Sequence, residues 1–295
     1  MAVTASAGVR PDGASASPPT PGPARRTHAL IGTNSLQRTA SALWRPLALV
    51  AVLLAAWWAV TEAELVAPYI LPSPAETWLA VQDNAAYLAH NTWVTTWETV
   101  LGFVIAAIVG ELVAVVMIYS AGVEKTVYPL ILFAQVVPKI AIAPLFIVWL
   151  GFGPSPKILV AVLMAFFPIV ISGLAGLRSV DPEILELTST MGASRFKTFL
   201  KIRFPASLPQ LMSGLKVAAT LAVTGAVVGE FVGANEGLGY VILQANGNVD
   251  TAMLFAALII MSLLGIALFA IIEIAEKMLI PWHSSRRTIN SATSA

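Results

Sequence analysis

The chain has 295 residues, enough for one large soluble domain, yet 57% of them are hydrophobic and only 11% are Asp, Glu, Lys or Arg. A soluble domain carries about 25% charged residues, so this composition excludes one. A net charge of +1 excludes a nucleic-acid binder that relies on a strong basic field. The absence of cysteine excludes disulfides and thiolate metal sites. The composition therefore indicates a polytopic membrane protein.

The first 45 residues differ from the rest of the chain. They are rich in Ala, Ser, Pro and Thr and contain few large apolar side chains. Such a segment buries too little surface to offset its chain entropy. We therefore predict a disordered N-terminal tail over 1–45, a transmembrane domain over 46–282 and a C-terminal tail over 283–295.

Six apolar runs are long enough to cross a bilayer, whose core of about 30 Å needs roughly 20 helical residues. They are predicted at 46–66, 93–119, 128–150, 157–177, 209–232 and 252–280. Most of the 17 basic residues lie in the tails or in the loops after the second and fourth runs. The positive-inside rule then predicts that both termini are cytoplasmic. The predicted fold class is all-α, with six transmembrane helices in the cell membrane.

A helix is predicted to begin in the connection between the first two runs. Ser73 is suited to cap it, Pro74 to occupy its first position, and Glu76 to complete a capping box. This helix lies on the side that the charge distribution assigns to the exterior.

The loop at 178–208 is predicted to contain two short helices. The triplet Asp181-Pro182-Glu183 is typical of a helix start, and Gly192 is typical of the left-handed residue that ends a helix. A second helix is predicted to begin after Ser194 and to end at Pro205. Its apolar and basic residues are equally consistent with a hairpin on lipid headgroups and with a docking surface for another protein.

The same loop resembles the EAA signature of ABC importer permeases. Glu186-Leu187-Thr188 is followed after three residues by Gly192 and, after nine more, by Ile202-Arg203-Phe204-Pro205. Leu187 and Thr188 stand where the signature has two alanines, and Phe204 stands where it has leucine. The resemblance extends over roughly 68–282. Three other motifs resemble one branch of these permeases, which serves aliphatic sulfonates, taurine, nitrate, thiamine precursors and riboflavin. The motifs are Leu71-Pro72-Ser73-Pro74, Trp149-Leu150-Gly151-Phe152-Gly153 and Gly237-Leu238-Gly239-Tyr240.

This resemblance implies a type I ABC importer permease that forms the pathway for a small organic solute. The solute is expected to be sulfonate-, taurine- or nitrate-like, or else pyrimidine-, thiamine-precursor- or riboflavin-like. The expected partners are a cytoplasmic ATPase that binds ATP and Mg, an extracytoplasmic solute-binding protein and a second copy of the chain. The residues expected to couple to the ATPase are Glu186, Leu187, Thr188, Gly192, Ile202 and Pro205. The alternative is a self-contained secondary transporter or channel, which leaves this residue spacing unexplained.

The sequence has no signature of an enzyme. It contains no Gly-x-x-x-x-Gly-Lys-Ser/Thr loop for ATP phosphates and no His-Glu-x-x-His motif, and its three histidines lie outside the apolar runs. We therefore predict no catalytic residues, no bound metal and no cofactor in this chain.

Five ionisable residues lie within or near the apolar runs: Glu98, Glu111, Lys139, Lys216 and Glu230. A charge that faces lipid is costly, so these side chains are expected to face the interior or a pathway. One hypothesis places Gln135, Lys139 and Glu230 along a translocation pathway. The other pairs Lys139 with Glu98 or Glu111 for structural reasons alone.

Two further patterns concern helix packing. Pro138 and Pro144 flank Lys139 closely, which predicts a broken third span. Glycines at 225, 229, 233 and 237 recur every four residues and present a small face. This spacing favours close packing within the subunit over a sliding seam between two copies.

Overall fold

The computed structural model describes residues 34–281, and this part of the chain is helical without a β-strand. The helices are α1 (Asn34–Glu62), α2 (Pro74–Asp83), α3 (Ala85–Tyr119), α4 (Ala121–Val136), α5 (Lys139–Leu150), α6 (Pro154–Arg178), α7 (Pro182–Thr190), α8 (Arg195–Thr198), α9 (Phe204–Gly233), α10 (Leu238–Gly247) and α11 (Thr251–Leu279). A π-helix, Phe199–Arg203, connects α8 to α9. The predicted C-terminal tail, 283–295, lies outside the described residues.

The first helix begins earlier than the sequence predicted. The chain divides after Val52 into two compact units, and the described part of the first unit is the start of α1. α1 begins at Asn34, so it overlaps the end of the predicted tail, while 1–33 lie outside the described residues; the disorder of the tail stays a prediction. The physical reason for the early start is that 34–45 contain neither proline nor glycine, so the helix propagates backwards from the apolar run.

Five helices are long and apolar enough to cross a membrane: α1 from Trp44, α3, α6, α9 with the turns before it, and α11. The pair α4 and α5 makes a sixth crossing when it is counted as one span, and the two helices are bent by 96°. The bend lies at Val137 and Pro138, since proline lacks the N–H that would continue the hydrogen-bond ladder. The all-α fold class is thus confirmed, and the predicted break in the third run is present.

The helix predicted after Leu71 is present as α2, with its capping box complete. The Ser73 hydroxyl accepts the Glu76 N–H at 3.1 Å, and the Glu76 carboxylate accepts the Ser73 N–H at 2.8 Å. The Trp57 indole N–H donates to the Pro72 carbonyl at 2.9 Å, which fixes the approach of the chain to α2. We refer to the side of the bundle with α2 and α10 as the opposite side, and to the side with α7 and α8 as the basic side.

The core of the bundle is α6, which packs between α3 and α9. Small residues allow these helices to approach closely. A Cβ atom at Gly102 of α3 would lie 2.6 Å from Ala161 Cβ, and one at Gly225 of α9 would lie 2.7 Å from Ala161 Cα. Close backbone contact is the form of packing that remains effective in lipid, where apolar burial alone drives no association.

Two of the four glycines of the repeat pack against α6, and a third packs against α5. Gly225 faces Ala161, and a Cβ at Gly229 would lie 2.7 Å from Lys157 Cα. Gly233 ends α9 and meets Ile147 of α5. Gly237 is not on the helix, since it precedes α10 with a φ of +110° that favours glycine. The prediction of packing within the subunit is confirmed for α9 against α6.

A methyl group on this face should separate α9 from α6. We expect Gly225→Ala to destabilise the bundle by about 1–3 kcal/mol, because the new Cβ overlaps the backbone of α6 rather than a flexible side-chain end. Thermal unfolding of the purified chain in detergent measures the effect. The matched control is Gly265→Ala in α11, where a Cβ meets no atom within 4 Å. Equal stability of the two variants would contradict the packing assigned to α9.

Candidate functional site

The loop on the basic side forms the two predicted short helices, and local capping explains both. The Asp181 carboxylate accepts the Glu183 N–H at 3.0 Å at the start of α7. The Ser194 hydroxyl accepts the Lys197 N–H at 3.3 Å at the start of α8. Between them, Gly192 has a φ of +72°, the left-handed conformation expected at a helix end. The helix–turn–helix prediction for this loop is confirmed.

The end of the second helix is not where the sequence placed it. Pro205 lies in the first turn of α9, and the chain continues without a break from α8 through the π-helix into that span. In the π-helix, the Phe204 N–H bonds to the Phe199 carbonyl, one residue further back than in an α-helix. This wider turn relieves the clash that a proline causes with the preceding turn, so the helix continues instead of ending.

The six residues predicted for ATPase coupling separate into a projecting part and a base. No residue of α7 is buried; Glu186 is exposed, Leu187 is 60% exposed and Thr188 is half-buried. Gly192 lies in the exposed turn that follows. Ile202 and Pro205 are half-buried where the loop rejoins the spans. The loop thus presents an exposed apolar and acidic surface on a partly buried base.

Side chains of the loop and its base contact several spans. The Phe199 ring lies 6.1 Å from the Tyr119 ring at the end of α3 and 5.9 Å from the Phe204 ring. The Arg203 guanidinium donates to the Leu177 carbonyl at the end of α6, at 3.4 Å. The base of the loop is therefore in contact with α3, α6 and α9.

The broken third span places Gln135 and Lys139 next to each other. The Lys139 ammonium donates to the Gln135 carbonyl at 2.7 Å and lies 4.8 Å from the centre of the Phe167 ring. It forms no ion pair with Glu98 or Glu111, so the hypothesis that paired Lys139 with either is wrong. The freed carbonyl of the broken helix takes the place of the acidic partner.

The third residue predicted for the pathway, Glu230, has entirely different partners. Its side chain is fully buried near the end of α9. One carboxylate oxygen accepts the Thr95 hydroxyl at 2.7 Å, and the other accepts the Gly239 N–H at 2.5 Å. The structure therefore brings Gln135 and Lys139 together, and it places Glu230 in a separate buried cluster on the opposite side.

That cluster satisfies the first N–H groups of α10. The Asn91 side-chain oxygen accepts the Gly237 N–H at 2.7 Å, and the Thr95 hydroxyl accepts the Leu238 N–H at 2.8 Å. Together with the Glu230 bond to Gly239, three successive N–H groups are bound by buried side chains. The carboxyl oxygens of Glu230 thus lie at the positive end of the helix dipole, where hydrogen-bond acceptors are favoured. These bonds hold α10 against α3 and α9.

A second acidic side chain lies beside the first and is paired. The Lys157 ammonium donates to Glu98 Oε1 at 2.7 Å, and both side chains are at least 90% buried. The sequence did not predict this pair, because Lys157, the first residue of the fourth run, was not counted among the ionisable residues of the runs. The signal that was available is the position of Lys157 at the edge of that run, where a lysine must reach either water or an acidic partner.

Two other ionisable residues of the spans differ in whether they have a partner. Lys216 of α9 forms an ion pair with Glu276 of α11. Glu111 of α3 packs against Gly173, and neither of its carboxylate oxygens has a hydrogen-bond partner among the described residues. Within residues 34–281 there is no group of three acidic or histidine side chains placed to hold a metal ion.

A cleft of about 400 Å³ opens beside the Glu98–Lys157 pair on the opposite side. Its walls combine aromatic rings, the ion pair and polar groups of the α9–α10 connection. The lining includes Trp93, Trp97, Phe152, Glu98, Lys157 and Asn235. Such a mixture of flat apolar walls and a few polar groups is typical of sites for small organic molecules. We refer to it as the aromatic cleft.

Breaking the buried pair should be costly. We expect Lys157→Met to lower the free energy of unfolding by about 3–5 kcal/mol, because Glu98 is left charged and buried without its partner. The double variant Glu98→Gln with Lys157→Met should regain most of this loss. Thermal unfolding in detergent measures both.

The control for this prediction is Lys277→Met, which removes the exposed pair with Glu273. An exposed pair contributes at most about 1 kcal/mol, so little change is expected. If Lys157→Met were as stable as Lys277→Met, the importance assigned to the buried pair would be wrong.

The chain is similar to a family of known proteins. Residues 102–281 match the family described as binding-protein-dependent transport system inner membrane component. The formylaminopyrimidine transport permease protein of Halalkalibacterium halodurans is 37% identical over 230 residues, which cover 78% of this chain and 92% of that protein. The riboflavin transport system permease protein of Chloroflexus aurantiacus is 34% identical over 256 residues, covering 85% and 94%.

Two other proteins are similar to this chain at lower sequence identity. The taurine transport system permease protein of Escherichia coli is 28% identical over 240 residues, which cover 79% of this chain and 87% of that protein. An inward-facing structure of the MetNI methionine ABC transporter has a TM-score of 0.59 at 20% identity, covering 67% of this chain and 98% of that chain. At this identity the likeness establishes the fold alone.

Proposed function

This chain belongs to the binding-protein-dependent transport system inner membrane components, the permease subunits of ABC importers, and we propose that its loop 178–208 transmits ATP-driven movement to the spans. In this proposal the basic side faces the cytoplasm and the opposite side faces outwards. Both termini are then cytoplasmic, in agreement with the distribution of Lys and Arg.

The observation that carries this proposal is the exposure of α7 above a base that is tied to the spans. Leu187, Met191 and Phe196 are all exposed on the projecting loop. Exposed apolar side chains beside Glu186 form a small surface suited to a groove on another protein. Because the base contacts α3, α6 and α9, displacement of α7 reorients those spans.

The partners follow from this role. A cytoplasmic ATPase holds ATP and Mg and binds α7, whereas an extracytoplasmic protein delivers the solute to the opposite side. A second copy of the chain completes the pathway between two subunits. Gln135 and Lys139 are proposed to line that pathway, since the bent third span exposes a carbonyl and an ammonium at the break. Glu230 is proposed to hold α10 in place instead.

For the solute, we propose a small planar nitrogen heterocycle that passes through the aromatic cleft. Two relatives, 37% and 34% identical to this chain, are named as transport permeases for a formylaminopyrimidine and for riboflavin. Flat rings stack on Trp93 and Trp97, while Glu98 and Lys157 offer a hydrogen-bond acceptor and a donor at the bottom of the cleft.

Contact with the ATPase can be tested by cross-linking, because the chain has no cysteine of its own. A cysteine at Leu187 should form a disulfide with cysteines introduced in the ATPase groove, and nucleotide should change its yield. Mass spectrometry of the cross-linked complex identifies the partner residue. The matched control is Gly122→Cys, an exposed position in the first turn of α4 on the same side. Cross-linking at 122 but not at 187 would contradict the assignment of α7.

The solute proposal predicts a specific loss at the aromatic cleft. Trp97→Ala should raise the concentration of formylaminopyrimidine that half-saturates uptake by about fivefold, because one stacking surface worth about 1 kcal/mol is removed. Trp97→Phe should retain most of the activity. The control is Trp78→Ala, an exposed tryptophan of α2 outside the cleft. Uptake of taurine but not of any heterocycle by the complex would contradict the proposed solute class.

A further inference from the structure

A second cleft, of about 310 Å³, lies behind the exposed loop on the basic side. It is bounded by the end of α3, by the face of α7 that turns towards the spans, and by α8 with the π-helix. Its lining residues are Ile118, Tyr119, Leu185, Thr188, Ser189, Ala193, Arg195, Thr198 and Arg203. Of the six residues expected to couple to the ATPase, only Thr188 lines this cleft, so the function proposed above assigns no role to its other residues.

The charges around the cleft are all of one sign. Arg195 and Arg203 both line it, and no Asp or Glu does. Within residues 34–281, neither guanidinium lies within ion-pair distance of a carboxylate. Among the residues that the structure describes, Arg203 donates only to the Leu177 carbonyl, over a long 3.4 Å, and a guanidinium has five N–H donors. Most of the hydrogen-bonding capacity of both arginines is therefore available to a ligand.

Hydroxyl groups complete the polar lining. Thr188 and Ser189 are on α7 and Thr198 is on α8, while the Tyr119 hydroxyl reaches in from α3 and lies 3.4 Å from the Arg195 carbonyl. Thr188 and Ser189 donate to carbonyls of their own helix at 2.8 Å, contacts that a hydroxyl exchanges easily by rotation. Guanidinium and hydroxyl donors around one small cavity match an anion with several oxygens.

We propose that this cleft binds a phosphate group, held by Arg195 and Arg203. Arginine binds phosphate in a bidentate manner, and the hydroxyls supply shorter contacts to the remaining oxygens. The phosphate has two sources at this depth, the headgroup of an anionic phospholipid and a free phosphate in the cytoplasm. The apolar walls formed by Ile118 and Leu185 accommodate the glycerol and upper acyl chain of a lipid, and they leave a free phosphate uncovered.

A bound phosphate would contact both α7 and the residues that lead into α9. Thr188 and Ser189 belong to α7, whereas Arg203 follows directly into α9. An anion between them adds a bridge from the exposed helix to the span. Occupancy of the cleft therefore restrains α7 relative to α9, which gives the surrounding membrane or the phosphate supply a means to set how the loop moves.

The test uses the purified full chain in a neutral detergent. Binding of inorganic phosphate is followed by line broadening in phosphorus NMR, and retention of phosphatidylglycerol against phosphatidylcholine is followed by native mass spectrometry. The double variant Arg195→Gln with Arg203→Gln should weaken binding at least tenfold. Arg195→Gln alone, at an exposed position, should weaken it with no change in the unfolding temperature, which separates loss of the site from loss of the fold.

The matched control is Lys197→Gln with Lys201→Gln, which removes the same charge from exposed positions outside the cleft. It should leave binding unchanged. Phosphatidylglycerol retained through the arginines identifies a lipid headgroup, and inorganic phosphate bound through them identifies a free anion. Either result supports the site. The proposal is overturned if the wild-type chain binds neither probe, if the double arginine variant binds as well as the wild type, or if the lysine control loses as much binding.

Discussion

A polar group inside a bilayer must find its partner within the protein, because lipid offers none. In this chain that constraint is met at the start of α10, where Glu230, Thr95 and Asn91 bind three successive N–H groups. The Glu98–Lys157 pair, next to it, joins α3 to α6. These contacts fix the spans to one another on the opposite side of the bundle. In the proposed function, the basic side, where α7 projects, is the part that moves against the ATPase.

The features that local physical chemistry decides were predictable from the sequence. The capping residues Ser73 and Asp181, the left-handed Gly192 and the break at Pro138 each act on their immediate neighbours, and the structure contains all four. Pro205 was not predictable in the same way. Its tolerance depends on a π-helix, whose extra residue per turn leaves no clear pattern in the sequence.

Long-range pairing was the part that could not be predicted. Glu98 and Lys157 are 59 residues apart, and Glu230 meets Thr95 across 135 residues, so periodicity carries no information about either contact. Each apolar run can be interpreted from its own composition alone. On that basis Lys157 is only a residue at the edge of a run, and Glu230 is only a candidate for the translocation pathway. A charge at the end of a span is best treated as half of a pair whose other half lies on another helix. This rule predicts that a charged residue has a partner, but it does not identify the partner residue.

The most direct test of the account is solute uptake by proteoliposomes that contain this chain, with and without its ATPase. The account predicts that accumulation of a labelled pyrimidine or flavin requires the ATPase, ATP and the binding protein together. It also predicts that replacing the exposed side chains of α7 abolishes uptake while the isolated chain keeps its unfolding temperature. Accumulation driven by an ion gradient in vesicles that contain this chain alone would contradict the account and would indicate a self-contained carrier.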